Sequence, residues 1–373
     1  MTPTLSHSIP FFDYPSLFTS DEEEILSIVR DVGRRGAFIL QQDLARFEQN
    51  LARYLDARHA LGVANATDGL HIALRAAGIG RGDEVIFSSH TMVATAAAIH
   101  FAGAIPVPVE CGPDHLIDAA SAGEAITSRT RAILPTQLNG RTADMDALGA
   151  LAAKHGLVIV EDAAQALGSR YKGRAAGTFG AAAAISFFPA KVLGCLGDGG
   201  AVIANNDDIH DRMLQLRDHG RRSDGEIVSW GLNSRLDNLQ AAILDSRLAR
   251  YPAVVERRRT VARLYRKGLE ALEEVTLPPG PDGDAYHFDI YQNYEIEAER
   301  RDELKAHLGT FGIGTLVQWG GKAVHQWDSL GFTQRLPFTE KLFKRLLLLP
   351  LNMSLSDSDI EQICGAIRAF YRK

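Results

Sequence analysis

One carboxylate and one lysine are placed in the sequence where they could act on an enclosed ligand. Asp162 follows the run 157–161, which is apolar up to Val160 and is typical of a buried strand. Lys191 follows two aromatic residues, a proline and an alanine, and a glycine-rich turn comes after it. A desolvated lysine amine forms Schiff bases with carbonyl groups, and an aromatic cofactor that carries such a group needs an acid partner for its ring nitrogen. Asp162 is the candidate for that partner.

Each residue alone also has a simpler interpretation. Asp162 is equally well explained as the N-cap of a helix that we expect to begin there. Gln165 would then lie within one helical turn of it. A lone lysine in a loop is ordinarily solvated. The pair therefore has to be judged with the elements that position it.

From residue 60 onward, short apolar or β-branched runs alternate with helical patterns, which indicates βαβ units and a sheet of mostly parallel strands. The predicted strands are 84–88, 104–109, 132–136, 157–161, 183–187 and 200–204. Open α/β sheets hold ligands at the carboxyl ends of their strands, where Asp162 falls. The sequence therefore predicts an α/β fold whose sheet is flanked by helices.

Other patterns lie on either side of these units. Leu44, Phe47, Leu51 and Tyr54 recur at helical spacing, so this stripe packs on the core or on a partner. A charged helix at 255–260 marks a change of pattern near 245–260. Beyond it, the alternating run 290–296 predicts a strand, and a helix follows at 300–308. We expect a large domain over 1–250, with an N-terminal arm, and a smaller C-terminal α+β domain over 251–373.

Composition excludes several classes of protein. The chain of 373 residues has a formal net charge of -6, which argues against a nucleic-acid surface, and no apolar run is long enough to span a membrane. Three cysteines and the absence of a signal peptide predict a cytoplasmic protein without a disulfide framework. The histidines are dispersed without ligand spacing, so we expect no metal site. The glycine-rich run 78–83 follows a helix and predicts a turn, not a dinucleotide fingerprint.

Two motifs, Glu161–Gln165 and Ser186–Lys191, occur together in this sequence. Together they are more specific than either motif alone. In this order and spacing they resemble the DegT/DnrJ family of nucleotide-sugar aminotransferases, which are fold-type-I pyridoxal-phosphate enzymes. The resemblance covers essentially the whole chain. Further matching segments are 65–70, 89–95, 140–146 and 231–237.

The resemblance implies a role for each residue around a pyridoxal phosphate ring. Lys191 would form the Schiff base and then move the proton between substrate and cofactor. Asp162 would pair with the ring nitrogen, and Gln165 would reach the phenolic oxygen. Ala164 would pack on one ring face and Met92 on the other, although an ordinary core methionine is the competing interpretation.

The resemblance also implies contacts to the phosphate and to the substrate. The phosphate would meet Ser186 and the helix start at Ala66 and Thr67, where alanine stands in place of the usual glycine. Asn233 would complete this site from a neighbouring subunit, which makes the protein a homodimer with shared active sites. The implied substrate contacts are Gln318, Trp319, His325 and Arg235.

The function implied is transfer of an amino group from glutamate to a keto-sugar carried on a nucleotide. One alternative is a sugar dehydratase on the same scaffold, in which histidine replaces the lysine, so Lys191 speaks against it. A second alternative is a regulatory relative without turnover. The sugar-facing segments carry residues where histidine and tyrosine are frequent in the family, namely Gln137, Asn139, Gln318, Trp319 and Lys322. The sugar, the nucleotide and the aminated carbon are therefore left open.

Overall fold

The computed structural model describes residues 8–372. Its strands are β1 (His59–Val63), β2 (Glu84–Ser88), β3 (Ile105–Val109), β4 (Thr130–Leu134), β5 (Val158–Asp162), β6 (Arg170–Tyr171), β7 (Arg174–Ala175), β8 (Ala182–Ser186), β9 (Gly200–Ala204), β10 (Val275–Thr276), β11 (His287–Phe288), β12 (Tyr294–Ala298) and β13 (Leu346–Leu349). Its α-helices are α1 (Tyr14–Thr19), α2 (Glu22–Arg35), α3 (Gln42–Leu55), α4 (Ala66–Ala76), α5 (Val93–Phe101), α6 (Ala119–Glu124), α7 (Met145–His155), α8 (Asp207–Arg217), α9 (Asn238–Leu269), α10 (Arg301–Thr310), α11 (Pro337–Leu342) and α12 (Asp357–Tyr371).

A seven-stranded sheet in the order β1-β9-β8-β5-β4-β2-β3 forms the centre of the fold. All its neighbouring strands are parallel except β9, which runs antiparallel to both β1 and β8. The α/β fold class is confirmed. Strand β4 ends at Leu134, two residues before its predicted end, because Pro135 has no N–H to donate to a sheet ladder.

Helices cover both faces of this sheet, so its strands are apolar and buried. Helix α4 packs on β8 and β9, and α3 packs against α9. Phe47 of α3 is 0% exposed and meets the ring of Phe187 edge-on, with the centroids 5.4 Å apart. The stripe on α3 therefore packs into the core of its own chain.

The C-terminal part is an α+β arrangement around the antiparallel sheet β10-β12-β13. Helix α9 is 32 residues long and joins the two parts. Leu244 and Leu248 pack in the core under the large sheet, whereas Tyr265 and Leu269 pack in the C-terminal core. The predicted boundary between residues 250 and 251 falls inside this helix, and the division into two domains stays a prediction.

Two local predictions were wrong. The predicted strand 290–296 begins only at Tyr294, because Tyr291 adopts a left-handed backbone with φ of 53° that interrupts an extended chain. No helix follows Asp162. The backbone turns instead through 163–168, and Oδ1 of Asp162 accepts a hydrogen bond from the N–H of Ala164 at 3.1 Å.

Candidate active site

A cavity of about 400 Å³ opens at the carboxyl ends of β5 and β8. Ten of the predicted site residues line its wall: Ala66, Thr67, Met92, Asp162, Ala164, Gln165, Ser186, Lys191, Gln318 and Trp319. They come from strand ends, helix starts and turns that lie far apart in the sequence. The fold thus assembles one site from the separate motifs.

Asp162 is the buried acid of this cavity, at 4% exposure. Its Oδ2 accepts a hydrogen bond from Thr95 Oγ1 at 2.7 Å. Because a hydroxyl has one hydrogen, Thr95 in turn accepts from Thr91, and Thr91 accepts from Thr136, at 2.8 Å each. Burial raises the pKa of Asp162, while the charge of Lys191 acts in the opposite direction. The carboxylate is held in one orientation by groups that only donate to it.

Lys191 lies in the turn after β8 and is partly buried. Burial lowers the pKa of its amine to about 8, against the opposing charge of Asp162. Gln292 fixes the backbone on both sides of the lysine, since its Nε2 donates to Ala190 O at 2.8 Å and its Oε1 accepts from Val192 N at 3.0 Å. An amine with a lowered pKa is free to act as a nucleophile or a base closer to neutral pH.

Two hydrogen bonds to its amide oxygen orient the side chain of Gln165. Oε1 accepts from the backbone N–H of Asn139 at 2.9 Å and from Asn293 Nδ2 at 3.4 Å. Within residues 8–372, no group accepts a hydrogen bond from its nitrogen, and the side chain lines the cavity. Gln165 therefore offers donor N–H groups to a ligand there.

The start of α4, which also lines the cavity, offers hydrogen-bond donors suited to an anion. Asn65 caps α4 by accepting from the N–H of Asp68 at 2.8 Å, which leaves the N–H groups of Ala66 and Thr67 outside the helical ladder. Gly200 lets β9 approach this helix start, since a Cβ there would lie 2.8 Å from the nitrogen of Ala66. Ser186 lies at the same wall.

Met92 lies at the mouth of the cavity, with 51% of its surface exposed. The competing interpretation as an ordinary core methionine is therefore wrong. Ala164 is partly buried on the wall. Both side chains are available for contact with a flat ring.

Three predicted residues do not line the cavity of the single chain. His325 is buried, with Nδ1 2.7 Å from Ser89 Oγ and Nε2 3.3 Å from Glu340, because 325 packs beneath the 89–90 loop. Arg235 instead pairs with Asp218 at 3.0 Å. Asn233 is exposed at the surface.

The fold also brings together polar residues that were not predicted for this region. His90, His115 and Glu295 place ligand-type atoms within 4.8 Å of one another, although they come from three distant segments. Histidine spacing alone gave no sign of this cluster. No signal marks Glu295 either, because it occupies a polar position of the alternating strand 294–298, where a solvent-facing side chain is expected.

The model of the DegT/DnrJ/EryC1/StrS aminotransferase family matches residues 19–368. The chain belongs to this family. The resemblance carried by the lysine and aspartate motifs is confirmed, and the protein is a pyridoxal-phosphate-dependent aminotransferase.

This aminotransferase is similar to curated proteins over nearly its full length. It is 40% identical to the dTDP-3-amino-3,4,6-trideoxy-alpha-D-glucose transaminase of Streptomyces venezuelae, covering 96% of this chain and 95% of that protein. It is 39% identical to the pleiotropic regulatory protein of Geobacillus stearothermophilus, covering 98% and 99%. Among solved structures, S. venezuelae DesV in complex with a ketimine intermediate matches with a TM-score of 0.94 at 39% identity, covering 99% of this chain and 100% of that chain.

None of the helices within residues 8–372 is both long and apolar enough to cross a bilayer. The three cysteines, Cys111, Cys195 and Cys364, are free and buried.

Proposed function

We propose that this aminotransferase moves an amino group from glutamate to a keto-sugar carried on a nucleotide. The observation that carries the proposal is the shared cavity of Lys191 and Asp162, in a chain whose relatives include a nucleotide-sugar transaminase. The free cysteines fit a cytoplasmic place for this reaction.

The cavity residues fit the cofactor of the family. The cavity volume of about 400 Å³ lies within the range of cofactor sites. A partly buried amine, a buried carboxylate and a free amide donor surround one space, and the anion-suited start of α4 lines the same cavity. These groups match the aldehyde, the ring nitrogen, the phenolic oxygen and the phosphate of pyridoxal phosphate in chemical type.

We assign the residues roles from these environments. When bound, the cofactor supplies the carbonyl group that carries the amino group and the ring that accepts electrons. Lys191 binds it covalently and then carries the proton, since its pKa of about 8 suits both the acid and the base form. Asp162 holds a proton on the ring nitrogen, and Gln165 donates to the phenolic oxygen. Gln318 and Trp319 contact the sugar.

A panel of nucleotide-linked keto-sugars tests this function. With glutamate as donor, we expect formation of 2-oxoglutarate and of one amino-sugar, both followed by mass spectrometry. The amino group has to wait on the enzyme between the two substrates, so double-reciprocal plots should give parallel lines. Glutamate alone should release one equivalent of 2-oxoglutarate per site.

Two outcomes would contradict the proposal. Intersecting lines together with no release of 2-oxoglutarate from glutamate alone would exclude transamination with this donor. Loss of a hydroxyl from the sugar without gain of nitrogen would instead identify the dehydratase alternative.

We further propose that the protein is a homodimer in which Asn233 serves the neighbour's site. Asn233 is exposed and lies outside the cavity of its own chain. The preceding segment exposes Ile227, Val228 and Trp230, and Trp230 is 93% exposed. Exposed apolar side chains clustered on one segment favour contact with a second copy of the chain.

Mixed dimers of Lys191→Ala and Asn233→Asp test this arrangement. Lys191→Ala lacks the covalent link, and Asn233→Asp sets a carboxylate against the cofactor phosphate, where like charges repel. Both homodimers should be nearly inactive. If the residues act across the interface, the heterodimer has one site with both residues intact, and it should recover up to half the wild-type activity.

The heterodimer is purified with two different tags, one on each chain. A wild-type dimer assembled from the same two tagged chains is the control for loss of activity during purification. If Lys191 and Asn233 served the same chain's site, every site of the heterodimer would carry one defect. An inactive heterodimer would thus show that Asn233 does not contribute to the partner's active site.

A further inference from the structure

A buried carboxylate holds two amide side chains, and one of them, Gln318, lines the cavity. Glu295 lies on β12 and is 2% exposed. Its Oε2 accepts from Gln318 Nε2 at 2.7 Å, and its Oε1 accepts from Asn139 Nδ2 at 2.9 Å. None of the roles assigned above uses this residue.

Two histidines keep Glu295 ionised. Burial alone would raise the pKa of Glu295, but the neighbouring His90 and His115 lower it. His115 Nδ1 lies 2.9 Å from Oε1 of Glu295. Burial would lower the pKa of His115, yet hydrogen bonds to Glu295 and Glu297 raise it to about 9. At neutral pH His115 is therefore the charged donor, and Glu295 is the carboxylate.

An ionised carboxylate can only accept hydrogen bonds, whereas an amide has a donor end and an acceptor end. Gln318 therefore has to turn its nitrogen toward Glu295, and its oxygen points the other way. In the described part of the chain, no group donates to this oxygen, and Gln318 lines the cavity. Glu295 thus determines that the cavity wall at Gln318 presents a hydrogen-bond acceptor.

We propose that Glu295 is a positioning residue that makes Gln318 present its carbonyl oxygen to the substrate. The site then selects a sugar that offers a hydroxyl or an amide N–H at this point, because a sugar without one leaves a buried acceptor unpaired. The inference rests on the proposed function, since the keto-sugar is the ligand that meets this oxygen.

The same residues also resemble a metal site in composition. His90, His115 and Glu295 have ligand-type atoms within 4.8 Å of one another, and Nε2 of His90 has no hydrogen-bond partner within residues 8–372. Oε1 of Glu295, the oxygen nearest both histidines, already accepts hydrogen bonds from Asn139 and His115, however, and a metal ion bound there would have to displace one of them. The arrangement favours the positioning role, and metal content becomes a measurement in the test.

Glu295→Gln tests the role with a side chain of the same shape. The new amide keeps its oxygen toward His115, which donates, so its NH₂ faces Gln318. Gln318 then has to turn over and present NH₂ to the cavity. We expect kcat/KM for the keto-sugar to fall roughly ten- to a hundredfold, which is the loss expected when a hydrogen bond within a buried site is removed. The glutamate half-reaction and the visible absorption of the bound cofactor should stay as in wild type.

Two further variants separate this effect from a general loss of structure. Glu297 lies on the same strand and bonds Nε2 of His115 at 3.4 Å, but it contacts neither Asn139 nor Gln318. Glu297→Gln should therefore behave as wild type. Gln318→Met removes the amide at similar length, and adding Glu295→Gln to it should cause no further loss if Glu295 acts through Gln318. Thermal unfolding of each variant reports on folding.

Several results would overturn the inference. They are an equal loss in both half-reactions, additive losses in the double variant, or stoichiometric zinc in wild type that Glu295→Gln lacks. If Glu295→Gln accepts the keto-sugar as well as wild type does, only the role of Glu295 fails. If wild type aminates no keto-sugar, the proposed function fails, and the inference fails with it.

Discussion

Lys191→Ala should abolish amino transfer while leaving the fold intact. In the proposed mechanism the lysine supplies both the covalent link and the proton carrier, and loss of a general acid–base group alone costs up to about ten-thousandfold in rate. Because the side chain faces a cavity, its truncation leaves the core packing unchanged. We expect both half-reactions to fall below detection, with unchanged thermal unfolding of the apoprotein.

Borohydride reduction gives the measurement that does not depend on turnover. Wild type should gain the mass of one pyridoxyl group per chain, and peptide mapping should place it on Lys191. Lys172→Ala is the matched control, because Lys172 is exposed, pairs with Asp146 and does not line the cavity. An adduct that remains in Lys191→Ala, or one that maps to another lysine in wild type, would refute the assignment.

The sequence predicts the large sheet well because each strand is a local pattern. A short apolar run between turn residues is buried on both faces wherever helices flank the sheet, so its position depends little on distant residues. One strand of the seven, β1 at the edge of the sheet, is missing from the predicted set, and the other errors lie at ends and turns. Pro135 shortens β4, and the left-handed Tyr291 delays β12, although nothing in the type of residue at 291 announces a positive φ.

The site residues divide in the same way. Asp162 and Lys191 follow strands whose carboxyl ends meet at one edge, so topology alone brings them together. His325 shows the limit, because its hydrogen bond to Ser89 depends on how two distant loops pack. Glu295 was missed because its meaning comes from Asn139 and Gln318, far away in sequence. The alternation of β12 predicts that Glu295 faces solvent, so the local pattern does not indicate that this carboxylate is buried.

Asp162→Asn should lose turnover far more than it loses cofactor. The substitution keeps the shape of a side chain that is 4% exposed. Its amide oxygen can still accept from Ala164 N–H, and its NH₂ can face Thr95, whose hydroxyl then turns to donate to Thr91. Every hydrogen bond of the wild type thus has a replacement, and we expect normal folding.

The amide lacks the negative charge that, in the proposed mechanism, holds a proton on the ring nitrogen. Without that proton the ring accepts electrons poorly, so the rate of both half-reactions should fall by on the order of a hundredfold or more, as when a preorganised electrostatic partner is removed. Titration of apoprotein with pyridoxal phosphate, followed by absorption, should show binding within a few-fold of wild type, and single-turnover rates should carry the loss. Thr95→Val is the matched control, because it removes one hydrogen bond to Asp162 but keeps the charge, and it should cost much less. If Asp162→Asn turns over as fast as Thr95→Val with its cofactor bound, the carboxylate serves only to hold the turn at Ala164.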